Sequence, residues 1–409
     1  MENEIFTELQ PEQKPKKKRR VLWIFLPILW VLTIACAVVF TVLFTKLYEK
    51  NRGDVLTDSL KEAVRVIREN YYFYDADEAE LTDAALKGVL DATGDDYAYY
   101  YNADEYAELT KQNEGAFVGI GVLTTKDEDG KVRIIEVYEN TPASEAGILP
   151  DDIMIEINGV SYEGLDLSAF LNNMIAEDGA ENTIEILRGD EELCFTIVAR
   201  EVHSPSVSYR MLTDTIGYLR VSTFHGTCVK EAQDALKELS ESGMQSLVFD
   251  LRDNLGGSLY DALDIADLFL PKDRIITSLR SRTDEEKKYY TKTDGISLPM
   301  VLLVNGYSAS ASELVAGALK DYEAAYLIGT TTYGKGIVQS YFSVPETGGM
   351  FKITTEAYYT PNGICVHGTG IEPDMTVTLP DEAQRYSISA LPIELDAQLH
   401  AAIAYLNDK

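Results

Sequence analysis

The sequence predicts a mixed α/β (α+β) fold behind an N-terminal membrane span, and three observations indicate this arrangement. Buried strands alternate with amphipathic helices across residues 201–390, which is the pattern of an α/β layer architecture. Short alternating strands with Gly and Asp turns fill residues 114–200 and indicate a separate small domain. Residues 21–45 carry no charge, and this run exceeds the roughly 20 apolar residues that a helix needs to cross a bilayer.

The segment before the apolar run is strongly basic. KPKKKRR, with six cations, occupies residues 14–20, so residues 1–20 are expected to stay cytoplasmic and the chain after residue 45 to be extracytoplasmic. A cleaved signal peptide is the alternative, because Ala35-Cys36-Ala37 faintly resembles a cleavage or lipid-attachment site. Apolar residues continue after Ala37, however, and Thr33 stands where a lipidation motif usually has leucine. An uncleaved single-pass anchor in a bacterial cell membrane is therefore expected.

Charge and cysteine usage exclude several classes of partner. The chain of 409 residues carries a net charge of −31; residues 1–45 hold six Lys or Arg against four Glu, which leaves −33 for the exterior part. Nucleic acid and anionic lipid surfaces are therefore unfavourable partners. The four cysteines form neither a disulfide framework nor a C-x-x-C zinc motif; they are Cys36, Cys194, Cys228 and Cys365.

Residues 46–113 show a helical pattern. Val55, Leu60, Val64 and Ile67 recur at three to five residues, as on one face of a helix. A tyrosine-rich stretch, DDYAYYYNADEYAEL, follows at residues 95–109, and such an aromatic stripe is expected to pack in a core.

The small domain carries a specific motif. TPASEAGILPDDIMIEINGV resembles the PDZ-domain pattern, with Asp151 in place of a glycine. The resemblance implies that a peptide C-terminus is bound as an added strand, with its carboxylate held by backbone amides of the loop Phe117-Val118-Gly119-Ile120. Arg188 would either sense that carboxylate or be a solvated edge charge, and the second interpretation is favoured.

The core region alternates strands and helices in a regular order. After a strand IGYLRVSTF come a helix VKEAQDALKELSES, a strand SLVFDLR, a helix SLYDALDIADLFL, a strand MVLLVN and a helix SELVAGALKDY. Residues 391–409 are predicted to form a terminal amphipathic helix.

Three serines mark one strand-to-helix corner, in VNGYSASASELVAG at residues 304–317. Amides at the start of a helix can stabilise negative charge there, so one of these serines is a candidate nucleophile. Ser310 and Glu313 also fit a Ser-x-x-Glu capping box, which leaves a purely structural role open.

Two further segments supply the groups that such a nucleophile needs. Gly256-Gly257 follows a buried strand, and its amides could form an oxyanion hole with the amide of Ala311. Arg252 and Asp253 beside it are expected to brace the loop by a salt bridge.

The third segment is TTYGKGIVQS. Glycines on both sides of Lys335 permit close packing and desolvation of its amine, which favours the neutral, basic form. Gln339, four residues on, could orient that amine by a hydrogen bond.

Several motifs together resemble one enzyme family. LRDNLGGSL, NGYSASASE, YGKGIVQ, YYTPNG and GIEPD, behind a PDZ-like segment, resemble the carboxyl-terminal processing peptidases, also called tail-specific proteases. The resemblance implies a crotonase/ClpP-like core, substrates with free C-termini, no cofactor and a homodimer paired through terminal helices. It also implies Ser310 as nucleophile, Lys335 as base and Gln339 as supporting residue. Leu255 replaces the proline usual in the glycine loop, which affects the rigidity of that loop rather than its amides.

Two alternatives stay open at this point. A histidine base, His225 or His367, would turn Ser310 into part of a serine triad. A catalytically inactive PDZ scaffold would need neither Ser310 nor Lys335.

Overall fold

The computed structural model describes residues 30, 37–41, 43, 55–73, 77–113, 115–126, 129–138, 140–384 and 386–409. The chain divides into two compact units, Met1–Thr82 and Asp83–Lys409. None of the helices within the described ranges is both long and apolar enough to cross a membrane. The basic segment 1–20 and most of the predicted span 21–45 lie outside those ranges.

The α-helices whose two ends both lie in the described ranges are, in chain order, α1 Val55–Asn70, α2 Glu78–Asp91, α3 Ala103–Asn113, α4 Pro142–Ala146, α5 Leu167–Leu171, α6 Cys228–Glu241, α7 Leu259–Asp267, α8 Ala311–Asp321 and α9 Ala397–Asn407. The strands are β1 Tyr99–Tyr101, β2 Ala116–Gly119, β3 Val122–Lys126, β4 Val132–Val137, β5 Ile153–Ile157, β6 Val160–Ser161, β7 Glu181–Arg188, β8 Glu191–Val198, β9 Arg200–His203, β10 Val207–Met211, β11 Ile216–Val221, β12 Ser246–Asp250, β13 Ile275–Ser281, β14 Glu286–Tyr290, β15 Met300–Val304, β16 Tyr326–Gly329, β17 Ile337–Val344, β18 Gly349–Tyr359 and β19 Met375–Thr376.

In the first unit, helix α1 confirms the helical pattern predicted from the apolar spacing. Arg65 on its exposed face bonds Glu62 and Glu69, each at 2.6 Å. Such exposed pairs stabilise a helix by only a few tenths of a kcal/mol each, about 0.2–0.5.

In the second unit, a largely parallel sheet has the strand order β10-β11-β12-β15-β16-β19, with only β10 antiparallel to its neighbour. Alternate residues of β12 face opposite sides of this sheet. Leu247 and Phe249 pack in the core formed with α6, α7 and α8, whereas Val248 packs in the core formed with α9. Because β12 and β15 are parallel neighbours, the loops after Asp250 and Val304 lie side by side.

The C-terminal helix is shorter than predicted. Helix α9 begins at Ala397, and residues 391–396 hold a 3₁₀ turn, Ile393–Leu395, instead of α-helix. Asp396 ends the irregular part because its side chain caps α9, accepting the Leu399 N–H at 2.9 Å.

An antiparallel second sheet has the order β1-β18-β13-β14, with β17 also paired to β18. Strand β1 lies within residues 46–113, for which only helices were predicted. The core prediction for the tyrosine stripe is right for Tyr100, which is fully buried and donates its hydroxyl to Asp83. It is wrong for Tyr99, which is 43 % exposed, because successive side chains of a strand point to opposite faces of the sheet.

The predicted PDZ region forms its own sheet and core. Strands β3-β4-β5-β7-β8 follow one another in this sheet, β6 pairs with β5, and α5 contributes Phe170 to the core. The stretch FVGIGVLTT, predicted as one strand, is two strands, because Gly121 adopts φ 82° and turns the chain. Asp151 adopts φ 70°, so the aspartate takes up the left-handed turn conformation expected of the glycine it replaces.

Candidate active site

The serine corner separates its three hydroxyls by burial. Ser308 and Ser312 are fully buried and donate to the carbonyls of Leu251 (2.8 Å) and Asn254 (2.7 Å). Ser310 is only partly buried and lines an open cavity of about 750 Å³. The outer two serines therefore join the corner to the glycine loop, and Ser310 is the one that faces the cavity.

The backbone of Ser310 is strained and held on both sides. It adopts φ 56° and ψ −112°, a conformation that a non-glycine residue rarely takes. Its N–H donates to Glu313 Oε2 at 2.9 Å, and its carbonyl accepts the Tyr358 hydroxyl at 2.9 Å. This Glu313 contact is the carboxylate half of the predicted capping box, so Ser310 is the N-cap of α8 and also faces the cavity.

The glycine loop lies directly against this corner. A Cβ built on Gly256 would lie 2.9 Å from Ser310 Cβ and 3.0 Å from the Ala311 nitrogen, so only glycine fits there. Its own amide, however, donates to Asn254 Oδ1 at 2.9 Å, and Gly256 is therefore not available as the predicted oxyanion donor in this arrangement. Within the described part of the chain, the N–H groups of Gly257 and Ala311 have no hydrogen-bond partner. These two amides remain the candidates for the oxyanion hole.

Lys335 lines the same cavity, and its backbone is tightly packed. A Cβ on the neighbouring Gly336 would lie 2.4 Å from the backbone nitrogen of His367, which explains the requirement for glycine beside the lysine. The Lys335 N–H donates to Glu313 Oε2 at 2.8 Å, and the Gly334 N–H donates to Glu313 Oε1 at 2.7 Å. One buried carboxylate thus positions the backbones of both Ser310 and Lys335.

Burial and a neighbouring cation shift the protonation equilibrium of the Lys335 amine towards its neutral form. Burial lowers the pKa of the Lys335 amine, and the positive charge of Lys352 lowers it further, while Asp95 and Glu313 act in the opposite direction. Desolvation disfavours a charged ammonium group, which is the effect predicted from the glycine-flanked segment.

Gln339 also lines the cavity, but its amide contacts another residue. Its Nε2 donates to Thr354 Oγ1 at 3.3 Å, across the β17–β18 pair in which these two residues are partners. In the described ranges no hydrogen bond joins Gln339 to Lys335, so its predicted orienting role is not formed in this arrangement.

The two histidines considered as bases lie in different places. His225 lines the cavity together with Ser310, and burial lowers its pKa. His367 is exposed and is not among the residues that line the cavity. Of the two, only His225 is placed to compete with Lys335.

Arg252, beside the glycine loop, forms salt bridges as predicted, but in the described ranges Asp253 takes no part in them. Arg252 is fully buried and contacts Asp250 at 2.6 Å and Asp396 at 2.8 Å. Asp253 instead accepts the Asn305 amide at 2.8 Å. Removing one member of a buried ion cluster leaves an uncompensated charge, at a typical cost of about 3–5 kcal/mol.

The predicted peptide-binding loop is mostly a strand. Phe117, Val118 and Gly119 lie in β2 and pair with β9, and the side chain of Ile120 is 1 % exposed in the core. These residues therefore do not form an open loop, because pairing with β9 holds them extended. Within the described chain, β3 pairs only with β4, so its other edge is unpaired.

Arg188 does not match the favoured interpretation of a solvated edge charge. Its guanidinium donates to both carboxylate oxygens of buried Asp152 at 2.7 Å and to the Gly147 carbonyl at 2.8 Å. This bidentate pair braces the small domain internally.

The sequence reasoning missed several residues around the site. The capping-box interpretation of Glu313 does not predict its contact with the Lys335 segment, which depends on the fold. The other missed residues are Asp95, Tyr97, Asn254, Lys352, Thr354 and Tyr358. The tyrosine-rich stretch at 95–109 contains Asp95 and Tyr97 and could have indicated them, although its aromatic pattern predicts core packing.

Comparison with known proteins places this chain in a family. The family model described as Peptidase family S41 matches residues 215–377. A Staphylococcus aureus (strain N315) protein named a probable CtpA-like serine protease is 32 % identical over 387 residues, which covers 92 % of this chain and 77 % of that protein. A similarly named Staphylococcus haemolyticus (strain JCSC1435) protein is 32 % identical over 329 residues, covering 80 % of this chain and 65 % of its own length.

A solved structure of an S41 protease has a similar fold. The structure of a Bacteroides fragilis protein assigned to the S41 proteases superposes with a TM-score of 0.57 at 18 % identity, covering 84 % of this chain and 96 % of that one. The mixed α/β fold is therefore that of S41 proteases. By its similarity to the CtpA-like proteins over most of their length, the chain belongs to peptidase family S41 and is a serine-type peptidase.

Proposed function

We propose that this peptidase cleaves extracytoplasmic proteins by a Ser310–Lys335 dyad after binding their free C-termini, in the manner of C-terminal processing peptidases. The observation that carries the proposal is the common cavity: Ser310 and Lys335 both line it, and Glu313 bonds the backbone N–H of each. Such a site needs neither metal nor other cofactor for acyl transfer.

The proposed reaction proceeds through an acyl-enzyme. The neutral Lys335 amine takes the Ser310 hydroxyl proton while the oxygen attacks the peptide carbonyl carbon, and the carbonyl electron pair moves onto its oxygen. The N–H groups of Gly257 and Ala311 stabilise this oxyanion. The C–N bond then breaks as the Lys335 ammonium protonates the leaving amine. A water molecule, deprotonated by the same amine, hydrolyses the ester and restores Ser310.

A histidine base is the second candidate for this chemistry. His225 lines the cavity near Asp261, whose negative charge raises the His225 pKa against the effect of burial. Burial nevertheless dominates, and the segment of Lys335 is the one fixed to the same carboxylate as Ser310. We therefore favour Lys335.

The PDZ-like region is proposed to read the substrate C-terminus at the free edge of β3. A peptide can pair there as an additional strand, with its carboxylate near the turn at Ile120 and Gly121 that precedes β3. Docking would raise the effective concentration of the substrate tail near Ser310. Any shift between closed and open arrangements would require a different affinity for the two states.

Amidating the C-terminus of a peptide substrate is expected to lower kcat/KM, because the amide lacks the negative charge that backbone N–H groups bind. The measurement compares acid and amide forms of one peptide that ends in an apolar residue. Deleting residues 115–200 should remove the difference between the two forms. Equal cleavage of both forms by the intact enzyme would contradict C-terminus recognition.

The proposed location is the outer face of a bacterial cell membrane, with one uncleaved span at 21–45 and the N-terminus in the cytoplasm. The charge-free run behind six cations supports this topology. Protease added to intact cells or right-side-out protoplasts is expected to digest the 50–409 portion. Protection of that portion, with digestion only after lysis, would contradict the orientation.

A further inference from the structure

The amine of Lys335 lies against an aromatic ring that the proposed reaction does not use. Its Nζ is 4.6 Å from the centroid of the Tyr97 ring. No hydrogen bond between Lys335 Nζ and Ser310 Oγ occurs among the residues that the structure describes. The contact of the amine is therefore with a tyrosine from the segment between α2 and β1.

The Tyr97 ring is held in place by its surroundings. The Tyr97 N–H donates to Asp95 Oδ1 at 2.9 Å, and Asp95 Oδ2 accepts the N–H of Thr354 on β18 at 3.3 Å. Burial and a hydrogen bond with Tyr333 raise the pKa of the Tyr97 phenol, so the ring stays neutral. Asp95 thus ties the ring to the strand that also carries the partner of Gln339.

The ring discriminates between the two forms of the amine. The negative face of an aromatic ring attracts an ammonium ion, but it has no comparable attraction for a neutral amine. The other groups facing Lys335 are Lys352 from β18, Asp95 from the segment before β1 and Glu313 from α8. The cavity also presents His225, Asp261, Lys287 and Glu356.

We propose that the Tyr97 ring is the resting site of protonated Lys335, and that the amine becomes available to Ser310 when it leaves this ring. The inference rests on the proposed dyad. Tyr97 is a positioning residue, because it acts on the reaction only through Lys335. It stabilises the charged form of the base, in opposition to burial and Lys352.

Titrating Lys335 directly tests this inference without turnover. In the Ser310→Ala protein, acetic anhydride labelling of the Lys335 amine is followed across pH by mass spectrometry. Tyr97→Leu is expected to lower the labelling midpoint by about 0.5–1 pH unit, because the ammonium loses its ring. Tyr97→Phe keeps the π face and should keep the midpoint.

Tyr99→Leu is the matched control. The Tyr99 ring lies near Lys87 Nζ, 5.8 Å from its centroid, so the same substitution there should leave the Lys335 midpoint in place. An unchanged midpoint in Tyr97→Leu, or equal shifts in Tyr97→Leu and Tyr99→Leu, would overturn the resting site. If a thermal unfolding curve shows that the Tyr97→Leu protein is not folded, the Tyr97→Trp protein is used instead. Indole attracts cations more strongly, so the midpoint should rise, and a fixed midpoint would again overturn the inference.

The active enzyme provides a second readout. Tyr97→Leu should move the acidic limb of the kcat/KM profile to lower pH by the same amount, which means about 3–10-fold faster cleavage below the limb. A limb that stays in place while Lys335→Arg is inactive would refute the resting site alone. An active Lys335→Arg enzyme would refute the dyad, whereas the labelling midpoint would still test the contact with Tyr97.

Discussion

Ser310→Ala is expected to reduce kcat/KM on the order of 10⁴-fold or more, because the hydroxyl that forms the acyl-enzyme is lost. Ser310 is the partly exposed serine of the corner, and its side chain faces the cavity. Removing the hydroxyl should leave the fold intact, because the contacts of Ser310 with Glu313 and Tyr358 are made by its backbone N–H and carbonyl. Steady-state cleavage of a peptide substrate, together with a thermal unfolding curve, measures both effects.

Ser308→Ala and Ser312→Ala are the matched controls. Each substitution removes a buried hydrogen bond to a loop carbonyl, so each should cost stability, typically about 1–3 kcal/mol, but retain most of the turnover. Full activity of Ser310→Ala, or complete inactivity of a folded Ser308→Ala enzyme, would contradict the assignment of Ser310 as the nucleophile.

Lys335→Arg is expected to lower kcat/KM by about 10²–10⁴-fold, the range that a general base contributes. A guanidinium remains protonated at any physiological pH and cannot accept the Ser310 proton. In the unmodified enzyme, kcat/KM should rise as the pH passes upward through the lowered pKa of Lys335, since activity requires the neutral amine. This limb should be missing from whatever activity the variant retains.

Lys352→Arg is the control for charge and size in the same cavity. It keeps a cation beside Lys335 and should retain most of the activity, because Lys352 takes no proton in the proposed reaction. Substantial turnover by Lys335→Arg would refute the dyad. Inactivation of a His225→Ala enzyme in that case would identify His225 as the base.

The elements of the core could be predicted from residue patterns alone. Alternation of Val, Leu and Ile runs with amphipathic stretches located β11, α6, β12, α7, β15 and α8 to within a few residues, because these elements bury their own apolar face. Prediction failed where tertiary contacts override local preference. Tyr99–Tyr101 forms a strand because β18 pairs with it. Residues 391–396 stay outside helix α9 because Asp396 caps its first turn and binds Arg252.

Local residue types and spacing by themselves determined the chemistry offered at the site: a serine corner at a helix start, a glycine pair after a buried strand and a lysine between glycines. Only the tertiary structure decided how those groups are used. It directed the Gly256 amide to Asn254, the Gln339 amide to Thr354 and the Lys335 amine to the Tyr97 ring. The physical reason is that hydrogen bonds and ring contacts between distant segments depend on how the strands and helices pack, and a residue pattern carries no information about those distances.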